Sequence, residues 1–387
     1  MIALINGKIV PVTGEIIEKG TVLIDGEKIV AVGADIEVPA GAEIIDCAGK
    51  WITPGLIDAH SHVSAMNEPS WMPSNMDGNE ITNPVTSQVR MLDAFNPFDM
   101  AIKEVREAGF TTCGTLPGSA NVIGGTGFTF KLKEATSVLD MMIPGTTVMK
   151  MALGENPKRC YGPDKKMPMT RMGTGAVLRE ALFNAKVYSD ELLEAEKDPS
   201  KKVKPDFKLD SLVPVVRGEM KCRIHCHEAD DIVTAIRISE EFGLKYSIEH
   251  CTEGYKILDF LKEKNVTAVV GPLLMGPMKY EIWGCRQDTP AKMEEAGLNF
   301  CLTADSASGT KWLPTHVGIA MARGLSFKTA MEALTIRPAN LLMVGDRTGS
   351  LEAGKDADIA IFDGMPFENL TNCVATMING KFEYTTL

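Results

Sequence analysis

A chain of 387 residues can hold one large barrel with a small unit attached, and its apolar (44%) and charged (24%) fractions are those of an ordinary globular protein. The formal net charge of −11, with no basic arm or stripe, argues against a nucleic-acid partner. No apolar run is long enough to span a membrane, MIALINGKIVPV opens as a strand and not as a signal peptide, and nine scattered cysteines with no Cys-x-x-Cys pair suit free thiols in a reducing cytoplasm.

Residues 1–53 are expected to form β-hairpins, because Asn6-Gly7 in ALINGKIV and Asp25-Gly26 in TVLIDGEKIVAVG stand between apolar runs. From residue 54 the texture changes to short β-branched runs alternating with helical patterns. Strands are predicted in GFTTCGTLPG (109–118), TTVMKMALG (146–154), KCRIHCHE (221–228), KYSIEHC (245–251), VTAVVGPL (266–273) and LNFCLTAD (298–305). A long amphipathic helix is expected over 175–197, followed by a solvated loop in KDPSKKVK (197–204). The glycine-rich SANVIGGTGFTF (119–130) lacks the Lys-Ser/Thr of a phosphate loop and reads as a tight turn before a strand. About eight strand–helix units point to an α/β fold, a (β/α)8 TIM barrel over 54–347. A doubly wound sheet would want a Gly-x-Gly-x-x-Gly after its first strand, and none is present. The β-texture returns over 348–387 with Asn379-Gly380, so the two ends are expected to be halves of one small β-sandwich.

In a barrel of this kind, chemistry sits at the C-terminal ends of the strands. Five of the six histidines fall there: His60 and His62 in LIDAHSHV, His225 and His227 in KCRIHCHE, and His250 in KYSIEHC. Lys150 and Asp305 end two further strands, while His316 is taken as helix or loop surface. Side chains at i and i+2 of a strand share a face, so each His-x-His pair aims two imidazoles at one point, and imidazole is a preferred ligand for zinc and its neighbours. A metal site follows.

These residues, with PGLIDAHSH at one end and GSLEAGKDADIAIF at the other, resemble the amidohydrolase superfamily over essentially the whole chain. KMALGENPKR and HCHEADD are most similar to its imidazolonepropionase-like and prolidase-like branch. The resemblance implies one or two zinc ions, two favoured. His60, His62 and Asp305 would hold the more buried ion, and His225 and His250 the more exposed one. Lys150 would bridge them as a carboxylated lysine, since an ammonium has no acceptor whereas a carbamate supplies two anionic oxygens. His225 and His227 compete for one position. HCHE resembles the HCDE of deaminases, which favours His225 and leaves His227 for substrate. Glu228 is then either a general acid or an acid suited to the first turn of the next helix.

The implied reaction is attack of metal-activated hydroxide on a carbonyl carbon, with Asp305 carrying the proton from water to the leaving nitrogen. The substrate would be a small amide of dipeptide or N-acyl amino acid type. The alternative is a mononuclear deaminase or cyclic-amide hydrolase of imidazolonepropionase type that uses Glu228. Asn156 and Tyr161, in the loop after the Lys150 strand, and Arg171, whose fork matches a carboxylate, are candidate substrate contacts. Homo-oligomerisation is left open.

Overall fold

The computed structural model describes residues 1–69 and 72–387. Alternating apolar residues lay down β1 (Ile2–Ile9), β2 (Ile17–Asp25), β3 (Lys28–Gly33), β4 (Glu43–Asp46) and β5 (Trp51–Pro54). Asp25-Gly26 makes the expected hairpin between β2 and β3. Asn6-Gly7 does not turn the chain. It lies inside β1, where the β1–β2 register shifts and Asn6 adopts φ 61°. Glycine follows because a Cβ at Gly7 would sit 2.5 Å from Ile52 Cδ1.

One residue past β5 the barrel begins. Its strands are β6 (Leu56–Ser61), β7 (Phe110–Thr115), β8 (Ile123–Lys131), β9 (Val148–Ala152), β10 (Cys222–Cys226), β11 (Tyr246–His250), β12 (Ala268–Val270) and β13 (Phe300–Leu302). Each pairs with the next in chain order. The strands are almost wholly buried on both faces, as expected of strands covered by helices. One feature departs from a regular (β/α)8 pattern: β8 is antiparallel to both β7 and β9. Residues 123–130 of the glycine-rich stretch expected as a turn lie in this strand. Glycine serves close approach there, since a Cβ at Gly125 would lie 2.3 Å from Val89 O. Between β13 and β6 the ring is nearly closed. Thr303 Oγ1 donates to His60 O at 2.6 Å and His62 N–H to Ser306 O at 2.8 Å.

The long helix runs over Arg171–Lys197, four residues earlier than its periodicity suggests, because Thr170 caps it by accepting from Gly173 N–H. His316 lies in the helix Leu313–Ala322 and is half-buried, not a surface residue; burial lowers its pKa. No helix among the described residues is long and apolar enough to cross a membrane.

The chain closes with β14 (Ile359–Phe362), β15 (Cys373–Ile378) and β16 (Lys381–Thr385), with Asn379-Gly380 turning the last hairpin. Where facing halves of a sandwich were expected, the two ends meet edge to edge. β14 is hydrogen-bonded to β5 in one eight-stranded sheet, and both ends bury a shared cluster that includes Leu4, Ile24, Ile52, Ile361 and Met377. A buried ion cluster ties this sheet to the barrel. Lys131, at the end of β8, lies 2.7 Å from Asp356 and 3.0 Å from Asp358.

Candidate metal centre

The apolar residues of β6 bring His60 and His62 to the C-terminal mouth of the barrel, where both are buried. His60 Nδ1–H donates to Glu249 Oε2 at 2.7 Å, His62 Nδ1–H to Leu116 O at 2.9 Å, and His250 Nδ1–H to Gly271 O at 2.8 Å. A carboxylate or carbonyl can only accept, so each partner holds the proton on Nδ1 and leaves a lone pair on Nε2. Burial, first among the causes, keeps His60, His225, His227 and His250 below their usual pKa and therefore neutral. Neutral imidazoles with free Nε2 lone pairs are competent metal ligands.

The strand alternation breaks at β11. Glu249 and His250 are adjacent, yet both reach His60: the carboxylate by its hydrogen bond, the imidazole with ring centroids 4.8 Å apart. His250 achieves this with φ 69°, a left-handed conformation rare outside glycine. Asp305 is also left-handed, at φ 50°, and lies three residues past β13. Its Oδ1 is 3.2 Å from His62 Nε2 and 3.4 Å from His60 Nε2. Burial would raise the Asp305 pKa, but His250, His62 and His60 hold it well below the usual carboxylate range.

Two donor sets result, His60 with His62 and Asp305, and His225 with His227 and His250, each with its ligand atoms mutually within 4.8 Å. They meet at His250, whose ring is 4.8 Å from that of His60 and 4.4 Å from that of His225. Lys150 lies inside β9, not at its end, with Nζ 3.0 Å from His60 Nε2. Burial pushes its ammonium down to about 8. His250 Nε2 and Asp305 Oδ1 are buried without a hydrogen-bond partner. Orphaned polar atoms of this kind are costly, about 1–3 kcal/mol each. Their position beside neutral imidazoles and a carboxylate suits a divalent ion.

The other sequence candidates separate. Asn156 is at the centre, with Nδ2 3.3 Å from His225 Nε2. His227 is there too, its Nδ1 2.7 Å from Thr252 Oγ1. Tyr161 is buried, and its hydroxyl donates to Asn121. Arg171 is no free fork for substrate, because its guanidinium is engaged by Glu228, Asp230 and Asp231 around the start of the helix Ala229–Glu241. Glu228 is the N-cap residue of that helix, with its carboxylate on Arg171.

Four residues of the site escaped the sequence reading. Glu249 accepts from Arg223 at 2.6 and 2.7 Å as well as from His60, all three side chains being buried. Glu281 and Lys279, from the loop after β12, close over the second histidine set. Glu281 Oε1 is 3.6 Å from His225 Nε2, and Lys279 Nζ is 3.5 Å from His227 Nε2. Arg223, two residues before His225 on β10, had a signal in the i, i+2 rule. The others had none.

A barrel carrying histidine, lysine and aspartate donors at its C-terminal mouth defines the class of a metal-dependent hydrolase. The chain belongs to the amidohydrolase family, whose profile matches residues 51–383, and it is accordingly a hydrolase of carbon–nitrogen bonds. It is 28% identical to the amidohydrolase tasK of Hapsidospora irregularis over 90% of this chain but only 38% of that one. It is 25% identical to an imidazolonepropionase of Geobacillus sp. (strain WCH70), over 90% of this chain and 84% of that one. Among solved structures, an amidohydrolase from Thermotoga maritima MSB8 is 38% identical and superimposes with a TM-score of 0.95 over 100% of both chains. A prolidase complexed with N-methylphosphonate-L-proline shares the fold, at 17% identity and a TM-score of 0.59 over 98% of each chain.

Proposed function

We propose that this chain hydrolyses the C–N amide bond of a small substrate, of dipeptide or N-acyl amino acid type, at a centre of two zinc ions. The observation that carries this reading is the pair of buried donor sets meeting at His250. His60, His62 and Asp305 would hold one ion, and His225 and His250 the other. Lys150 would join them as a carbamate: its neutral amine would add to CO2 and lose one proton, leaving two oxygens that share one negative charge. A lowered pKa favours that neutral amine. When bound, the ions supply Lewis acidity, lowering the pKa of water toward about 7 and polarising a carbonyl.

Asp305 is ionised and faces His60 and His62, so one of its oxygens can accept a proton from water and return it to the leaving nitrogen. Asn156 and His227 orient the substrate from the side of the second set. Arg171 and Tyr161 are left out of this role, being engaged elsewhere. The segments 1–53 and 348–387 form one small unit on the barrel of 54–347, and the free thiols suit a cytoplasmic protein.

The imidazolonepropionase relatives favour a second reading, a mononuclear cyclic-amide hydrolase or deaminase with Glu228 as the acid. Glu228 is tied to Arg171 in this structure, which favours the first reading. Hydrolysis assays on dipeptides, N-acyl amino acids and cyclic ureides separate the two. Turnover confined to the linear amides is expected, and turnover confined to ring substrates would reverse the choice.

A further inference from the structure

Glu281 has no assigned role in either reading, yet it is a fully buried carboxylate facing two imidazoles from the short 3-10 helix Tyr280–Ile282. Its two oxygens do different work. Oε2 accepts the backbone N–H of Glu155 at 2.7 Å, clamping the loop after β12 to the helix Glu155–Tyr161 that follows β9. Oε1 turns into the centre, 3.6 Å from His225 Nε2 and 3.7 Å from His227 Nε2. Two donors bound at about 2.0–2.2 Å to one tetrahedral ion stand about 3.4 Å apart. The other donor set gives an internal comparison, with Asp305 Oδ1 3.2 and 3.4 Å from its two histidines. Glu281 therefore stands to the second set much as Asp305 stands to the first. His250 Nε2, in the same set, is buried with no hydrogen-bond partner. The cation now nearest Oε1 is Lys279, whose ammonium donates to Glu281 and to Asn156 Oδ1 at 3.1 Å.

We infer that Glu281 Oε1 is a ligand of the second ion, beside His225, and that the Lys279 ammonium competes with that ion for the same oxygen. The inference rests on the two-ion reading and gives the second ion an anionic donor that does not depend on carboxylation of Lys150.

The test is a zinc titration of chelator-stripped protein against a competing chromophoric chelator. Glu281→Gln keeps the volume and an oxygen to accept from Glu155 N–H, but removes the anion. Wild-type protein should take up two equivalents. Glu281→Gln should weaken the second at least about tenfold and leave the first unchanged, which also serves as the folding control. Lys279→Met should tighten the second. Equal affinity for both equivalents in wild type and Glu281→Gln would overturn this inference alone. Fewer than two equivalents in wild type would overturn the two-ion reading and this inference with it. A measurement free of any variant is a crystal of the zinc-loaded wild type. Glu281 Oε1 should lie at about 2.0–2.2 Å from the second ion, and an oxygen left on Lys279 alone would refute the assignment.

Discussion

Glu249→Gln should be among the most damaging single changes in the barrel, although Glu249 lies behind the centre and not at its mouth. The wild-type carboxylate accepts from Arg223 Nε at 2.6 Å, Arg223 Nη2 at 2.7 Å, Ser247 Oγ at 2.5 Å and His60 Nδ1 at 2.7 Å, with no exposed surface. Glutamine offers one acceptor oxygen in place of two, and its NH2 meets a donor whichever way it turns. The Arg223 guanidinium, 1% exposed, is left without its counter-ion. Removing one partner of such a buried pair costs about 3–5 kcal/mol. Burial would raise the Glu249 pKa, but Arg223 and His60 hold it well below the ordinary value. Its contribution is therefore complete above the unfolded pKa of about 4.3 and is lost only as pH falls through the depressed folded value. Urea denaturation at neutral pH thus compares the two proteins where the full difference applies. The second expected effect is on zinc. With His60 no longer held by an anion, affinity at the first set should fall about 10–100-fold. Adding Arg223→Met should recover part of the stability and none of the zinc affinity. A loss below about 1 kcal/mol with wild-type zinc binding would refute the view that this buried chain of Arg223, Glu249 and His60 supports the centre.

Other outcomes follow from the same geometry. In chelator-stripped protein, His60, His225, His227, His250 and His316 have folded pKa values lowered, first of all by burial, so the unfolded chain binds more protons. Stability should therefore fall as pH drops below about 6.5, by up to about 1.4 kcal/mol per pH unit for each histidine; a urea midpoint unchanged between pH 7 and pH 5 would contradict this. Lys131→Met leaves Asp356 and Asp358 buried without their shared cation and should cost about 3 kcal/mol while sparing turnover below the melting transition. An unchanged melting temperature would show that the cluster does not tie the terminal sheet to the barrel. Asp305→Asn at saturating zinc should lower turnover by about 10²–10⁴-fold with a smaller loss of metal; near-normal turnover would move the proton shuttle to Glu228 or His227.

The parts of the site on regular strands were legible in the sequence. His60 with His62, and His225 with His227, share a face by the two-residue period, and the structure brings each pair to the barrel mouth. Arg223 obeys the same rule relative to His225. Glu249 is hidden because alternation sets it opposite His250, and only the left-handed φ at His250 lets both face His60. Glu281 lies in the 3-10 helix Tyr280–Ile282 and Lys279 just before it, a single turn too short to show a period. The hairpin at Asp25-Gly26 was readable, whereas Asn6-Gly7 gives the same local signal for a bulge, decided by the packing of Ile52 against Gly7. The direction of β8 was not readable, since parallel and antiparallel strands buried on both faces carry the same apolar run. Tyr161 and Arg171 stand in the expected segment but turn to Asn121 and to the Glu228–Asp231 carboxylates, which only the tertiary fold places beside them.

Elemental analysis of the purified protein, with turnover of a linear amide followed through chelation and zinc re-addition, bears most directly on the two-ion centre. Two equivalents of divalent metal should leave with activity and return with it, and only the second return should restore full turnover. Full turnover in protein stripped of metal would contradict a metal centre altogether, and full turnover with one equivalent would replace two ions by one.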